Sequence, residues 1–318
     1  MQGIVCVLLA ALAVMCVPGS AVADPYPVTI VDDRNVAVTI EARPQRISSL
    51  GAFAADMAAS LGAEPMGTTT YNGVRALYLG DALDGAVDLG SMLQPNLELM
   101  TENRTDLIIG MRRYTEAHAD DFGRLAPYLA YELLTYEDSK RAIASAAAAM
   151  GHEEKGARFN TEFEELVVDH AAKAPGGVSA VFIWLWQDAL FAYYDHPMPA
   201  SFLGALKVRN VMGPSPNPLL HENAGRPISY EELLALDPDV LMIYRAEGNS
   251  YPDNPALRRL NAVRNNRAFH VGYQYSQPHG PIARELVFRE MSHLFYPEIF
   301  AKPDLGEGIA AEPISFEQ

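Results

Sequence analysis

The chain has 318 residues, 49 % of them hydrophobic, with 40 acidic against 24 basic side chains and a formal net charge of −16. That length permits two domains and a sizeable core, and the acidity argues against nucleic acid or an anionic lipid surface as a partner. Both cysteines, Cys6 and Cys16, fall within the first 23 residues, so the rest of the chain offers no disulfide, zinc–thiolate site or thiol nucleophile.

Residues 1–23 carry no charged side chain and run through an apolar core, Ile4 to Met15, to Ala21-Val-Ala23. This predicts a signal peptide removed after Ala23, although the usual basic residue at the start is missing. The apolar core is short for a membrane-spanning helix. Met15 stands before Cys16 where a lipoprotein signal needs a small residue, so a soluble periplasmic mature protein is expected.

Val28 to Ile40 alternates around an Asp-rich turn and predicts a β-hairpin. A buried strand over Pro44–Gly51, a helix over Ala54–Leu61 stopped by Gly62, and a short strand over Pro65–Thr68 follow. Thr70 to Asp88 reads as a loop, and Tyr131–Leu134 as a strand. Ser139 to Ala172 is helical almost without a break, with Gly151 and Gly156 marking a break or close packing. One continuous helix there would be about 50 Å long, enough to span two lobes. Strands at Val178–Trp186 and Leu190–Tyr194, a short helix at Ser201–Leu206 and a proline-rich loop from Pro214 to Pro227 come next. A helix over Pro255–Val263, a strand over Ala268–Val271, a loop over Tyr273–Gly280 and a helix over Pro281–Leu294 close the pattern. The expected division is an N-terminal lobe over 24–137, an interdomain helix over 138–174 and a C-terminal lobe over 175–318.

One stretch occurs twice. An offset of 133 residues lays Glu98 on Glu231, Asp106 on Asp239 and Arg112 on Arg245, with matching apolar runs between. Each copy predicts a short amphipathic helix, an acidic turn and a buried parallel strand ending in an arginine. Ligands of open α/β sheets bind beyond the carboxyl ends of such strands. The fold expected is therefore α/β, two Rossmann-like lobes with a ligand cleft between them, each aiming a guanidinium inward. Solvated arginines on two unrelated units would give the same pattern.

These residues also resemble a known group. Val31-Asp-Asp-Arg-Asn-Val-Ala-Val, Pro44-Gln-Arg-Ile-Ser-Ser-Leu, Pro95-Asn-Leu-Glu-Leu-Met and Ile228-Ser-Tyr-Glu-Glu-Leu-Leu-Ala-Leu-Asp-Pro-Asp-Val-Leu are similar to periplasmic binding proteins of iron-complex and cobalamin importers. The resemblance implies two Rossmann-like lobes joined by one long rigid helix, a ligand between them, and no chemistry performed on it. It further implies that Glu98 and Glu231 dock onto arginines of an inner-membrane ABC permease. The alternative is that both are ordinary surface residues of two short helices.

Arg112, Arg113 and Arg245 in a strongly acidic protein point to an anionic ligand, since a guanidinium fork matches carboxylate and catecholate oxygens. Pairing with Glu116 or Glu247 would instead occupy Arg112 or Arg245. Tyr71, Trp186, Tyr244, Tyr273 and Tyr275 are the candidate cleft aromatics, with Trp184 on the same strand face as Trp186. An anionic ferric siderophore, of carboxylate or catecholate type, is the ligand expected, with no cofactor. Tyr273, Tyr275 and His279 are candidates for direct contact with iron or for haem ligation, which keeps haem or cobalamin as the alternative. The eight histidines show no close pair, against direct zinc or manganese capture. No nucleophile elbow, phosphate loop or His-Glu-x-x-His run supports an exported hydrolase. A monomer is expected.

Overall fold

The computed structural model describes residues 25–217, 224–246, 248, 250–251 and 253–316. The expected leader lies outside them, as does Glu247. The alternating run near the start folds as a hairpin, Val28–Val31 against Ala37–Ile40, with Val31 opposite Ala37. Asp32 closes its turn by accepting from the Arg34 backbone N–H at 3.0 Å.

The first sheet holds six strands in the order Gln94–Pro95, Val87–Ser91, Gly67–Thr70, Ile47–Leu50, Leu107–Met111 and Tyr128–Tyr131. All neighbours are parallel except the first two. The chain builds outward from Ile47–Leu50 to one side and then returns to its other side, so the switch point lies between that strand and Leu107–Met111. The last strand lies three residues earlier than the pattern at Tyr131–Leu134 predicts. Tyr128 to Tyr131 are all buried in the sheet, while Leu133 and Leu134 are buried beyond it.

The second sheet runs in the order Gly225–Ile228, Ala189–Tyr193, Ser179–Trp186, Val240–Tyr244, Ala268–His270 and Glu312–Pro313, with Arg209–Asn210 also paired to Ser179–Trp186. Its centre is parallel and its edges antiparallel. The Gly- and Pro-rich tail, which carries no strand signal, supplies one edge by pairing Glu312 with His270.

The duplicated stretch has a structural cause. In each copy a short helix (Leu97–Glu102, Tyr230–Leu236) is capped by a side chain, Asn96 accepting from Leu99 N–H and Ser229 from Glu232 N–H, both at 3.1 Å. The acidic turn residue then pins the start of the neighbouring strand. Asp106 accepts from the Arg46 N–H at 2.7 Å, and Asp239 from the Ser179 N–H at 2.8 Å. A peptide N–H at a strand entrance thus receives a carboxylate in each lobe, which satisfies a donor the sheet leaves over. The repeat specifies lobe architecture.

The long helical stretch is a hairpin. Tyr136–Ala149 starts at a capping box made by Thr135 and Asp138, and Gly151, at φ 74°, turns the chain into Glu153–Lys173. The two helices pack antiparallel: Asn160 donates to the Lys140 carbonyl at 2.9 Å. Gly156 fits where a Cβ would lie 2.4 Å from that of Ala147. Both roles read for the glycines, break and close packing, are therefore realised. The helix that leads to the second sheet is Glu153–Lys173, about 30 Å long at 1.5 Å per residue. The helix expected over Pro255–Val263 is likewise split, at Leu260, into Pro255–Arg259 and Asn261–Arg264.

The lobes meet along the last helix, Pro281–Phe295. Asp56, on the first-lobe helix Phe53–Leu61, accepts from the Ile282 and Ala283 N–H groups at 2.9 and 2.8 Å, capping that last helix from the other lobe. Ala52 N–H donates to Gln277 Oε1 at 2.7 Å, and Ser139 Oγ to the His279 carbonyl at 2.6 Å. The segment Gln277–Ala283 is thus held by the first lobe although it belongs in sequence to the second.

Candidate functional site

The carboxyl ends of the first sheet's central strands face the second lobe across a narrow cavity, the place where open α/β sheets bind ligands. From the first lobe, Tyr71, Met111, Arg113 and Tyr114 line it; from the second, Trp184, Tyr193, Gln277 and His279 do. The position follows from topology, because Met111 ends the strand beside the switch point and Arg113 comes two residues later.

Among the described residues Arg113 is the one charged side chain lining this cavity. Its guanidinium carbon lies 5.5 Å from the Tyr114 ring centroid, and Nη2 reaches the Leu133 carbonyl at 3.4 Å. His279 faces it from the other lobe. Burial, reinforced by the nearby Arg113 charge, holds the His279 imidazole down to about pKa 3, so it is neutral at any physiological pH. Neither ring nitrogen of His279 has a hydrogen-bond partner of good geometry among the described residues. Tyr71 spans the gap between lobes: its hydroxyl lies 3.2 Å from that of Tyr114, and its ring stands edge-on to Trp184 at 5.5 Å. Burial raises the Tyr71 phenol far above its ordinary pKa, as it does for Tyr193.

The other candidates fall elsewhere. Arg112 lies outside the cavity, with Nε 2.9 Å from Glu116 Oε2, on an outer hollow shared with Asp33, Arg113, Glu132, Asp138 and Arg141. The strand ends at Met111 and a short helix, Arg112–Thr115, begins there. Successive helical residues point about 100° apart, and of the two arginines only Arg113 reaches the cavity, from the edge of the hollow it shares with Arg112. Trp186 is 50 % exposed at the strand's end, while Trp184, two residues back on the same face, lies under Tyr71. Tyr275 is fully buried, stacks on Phe182 at 6.2 Å and donates to Glu290 at 2.9 Å.

Arg245, Tyr244 and Tyr273 line a second opening, together with Leu77, His270 and Glu312. Trp184 and Tyr244 are register partners on adjacent strands, with rings 5.7 Å apart, and stand between the two spaces. Arg245 Nη1 donates to the Ser250 carbonyl, and its guanidinium carbon lies 5.9 Å from the Tyr251 ring centroid. Burial, with Arg245 adding to it, lowers His270 to about pKa 4. The twin arginines at the strand ends therefore do not share one cavity. Glu98 and Glu231 are both exposed in the first turns of the duplicated helices.

Sequence reading missed Tyr114, Tyr193 and Gln277. Gln277 stood in a recognised loop, and Tyr114 directly follows the candidate arginines, so position alone could have included both. Tyr193 lies on an antiparallel strand, paired on both sides, whose facing depends on the hairpin register.

A family model described as periplasmic binding protein matches residues 47–275 of the chain. The chain belongs to that family, whose members bind a substrate and are not enzymes. The Fe(3+)-citrate-binding protein YfmC of Bacillus subtilis (strain 168) is 23 % identical over 259 residues, covering 79 % of this chain and 80 % of its own. Among solved structures, the siderophore binding protein BauB, bound to a complex between two molecules of acinetobactin and ferric iron, superposes with a TM-score of 0.69 at 22 % identity. That match covers 84 % of this chain and 98 % of BauB. The triscatecholate siderophore binding protein FeuA of Bacillus subtilis, complexed with ferri-bacillibactin, gives 0.69 at 17 % identity, over 83 % of this chain and 96 % of its own. The two-lobe α/β fold and the family resemblance read from the sequence both hold. Among the described residues no helix is long and apolar enough to cross a membrane.

Proposed function

We propose that the chain captures an anionic ferric siderophore, of carboxylate or catecholate type, between its lobes and delivers it to an inner-membrane ABC importer. The observation that carries this is Arg113, a single fixed cation in an aromatic-lined cavity opposite a neutral histidine. A guanidinium stays charged at every relevant pH and offers its fork to carboxylate or catecholate oxygens. The aromatic walls supply apolar faces for a flat chelate. What YfmC, BauB and FeuA are named for supports an iron chelate as the cargo. On this reading the protein acts in the periplasm as a monomer, with lobes over 24–137 and 175–318 joined by a rigid helical segment over 138–174 that keeps their closure small. Glu98 and Glu231 form a two-point gauge for a basic permease surface.

Haem is a second reading that His279 favours, because its neutral imidazole lines the cavity. Tyr275, whose hydroxyl is committed to Glu290, gives it no support. The test is a fluorescence titration of the protein and of Arg113→Met with ferric citrate, a ferric catecholate siderophore and haemin. The variant is expected to lose about 10- to 100-fold in affinity for the ferric chelate, the worth of one or more charge-assisted contacts. Equal affinity in the two proteins would remove Arg113 from the ligand site.

A further inference from the structure

The positive charge that the cleft can offer a ligand is countable. All 24 lysines and arginines of the chain lie among the described residues, and of them Arg113 alone lines the cavity between the lobes. Burial holds Tyr71 and Tyr193 as neutral phenols and His279 as a neutral imidazole, so these three add no charge at physiological pH. Arginines around the site are committed elsewhere. Arg112 pairs with Glu116 at 2.9 Å, and Arg141 with Asp33 at 2.9 Å and Asp138 at 2.8 Å. Across the Tyr71, Trp184 and Tyr244 rings, Arg245 donates to the Ser250 carbonyl. The outer hollow on whose edge Arg113 sits holds three arginines against four carboxylates, those of Asp33, Glu116, Glu132 and Asp138, so its balance is negative.

A ligand entering this site therefore meets one guanidinium and an acidic surround. An anion of single charge gains that contact. Each further negative charge gives up hydration, meets no second cation, and faces the carboxylates wherever the ligand extends past Arg113 into the hollow. A neutral ligand forgoes the guanidinium contact altogether.

We infer that the site selects a ferric chelate of net charge −1 and discriminates against a trianionic complex of the same shape. On ferric iron a charge of −1 arises from two dianionic arms, catecholate or α-hydroxycarboxylate, or from one such arm with two monoanionic ones. Three dianionic arms give −3. The inference rests on the iron-chelate reading and adds the charge class of the cargo.

The experiment uses one tripodal hexadentate scaffold whose catecholate arms are replaced in turn by hydroxypyridinonate, a near-isosteric monoanionic chelator. The four ferric complexes carry −3, −2, −1 and 0 around the same shell of six oxygens. Isothermal titration of the wild-type protein should place the tightest binding at −1, at least about tenfold tighter than at −3, one charge-assisted contact's worth. In Arg113→Met the optimum should move to the neutral complex, and in Arg113→Lys, which keeps the charge, it should stay at −1. An unchanged melting temperature shows that each variant folds. An optimum at any other charge in the wild type, or one at −1 that Arg113→Met leaves in place, would overturn the inference and leave the chelate reading standing. Binding of none of the four complexes would overturn both.

Discussion

The carboxylate of Asp56 should give the protein an unusual acid response. The side chain is buried between the lobes, and burial lifts its pKa from 3.8 to about 6 against the pull of the Ile282 and Ala283 N–H groups. Ser60 Oγ lies 3.3 Å from Oδ1, Tyr78 packs beside it, and the Arg284 guanidinium is the charged neighbour on the last helix. The sign follows from linkage. Because the folded-state pKa is the higher one, the folded chain binds a proton between about pH 6 and pH 4 that the unfolded chain does not, so acid stabilises in that window. A pKa difference of roughly two corresponds to about 3 kcal/mol in full, of which about 2 kcal/mol develops between pH 7 and pH 4. His279 works in the opposite sense: held down to about 3, it makes the folded state lose stability as pH falls below the ordinary histidine range. The comparison must therefore be differential. Asp56→Asn keeps the shape, cannot titrate and leaves His279 in place. Urea unfolding of both proteins at pH 7 and pH 4 should show the stability gap shifting by about 2 kcal/mol in favour of the wild type at the lower pH. A gap that stays constant within about 0.5 kcal/mol would refute the buried-carboxylate account.

Other expectations follow from the same geometry. Gly280→Ala should destabilise by about 1–3 kcal/mol, read as a lowered melting temperature, because its Cβ would lie 2.2 Å from Asp56 Cγ at the lobe junction. Arg112→Met should weaken ferric chelate binding much less than Arg113→Met, since Arg112 is engaged with Glu116 outside the cavity; equal losses in titration would place both at the ligand. Glu98→Ala combined with Glu231→Ala should leave chelate affinity unchanged and stop uptake into vesicles carrying the cognate permease. Normal uptake by the double variant would remove the docking role.

The fold was legible where one physical signal dominates. Leu107-Ile-Ile and Val240-Leu-Met-Ile could only be buried parallel strands, and both are central in their sheets. The repeat was legible as a pattern, but its meaning lay in hydrogen bonds from Asp106 and Asp239 to neighbouring strands, which sequence offset alone does not reveal. Across Ser139–Ala172 the glycines marked a break or close packing but not a reversal, because a single left-handed glycine, Gly151, suffices to turn the chain back. Site residues were harder, since facing depends on where each element begins. One residue's difference in the start of Arg112–Thr115 decides between Arg112 and Arg113. Two residues along one strand separate a covered Trp184 from an exposed Trp186, about 6.6 Å apart. Tyr275 was placed in a loop, and the loop is a short 3₁₀ turn, Tyr273–Tyr275, that directs it into the core.

Trp184 and Trp186 are the chain's two tryptophans, so Trp186→Phe leaves a single reporter inside the cleft. The most direct test of the account is to titrate that variant with a ferric siderophore and with its iron-free form. Saturable quenching by the ferric complex at micromolar concentration or below, with weak or no response to the iron-free form, is the predicted result. No quenching by ferric citrate, a ferric hydroxycarboxylate or a ferric catecholate, alongside saturable quenching by haemin or a cobalamin, would contradict it.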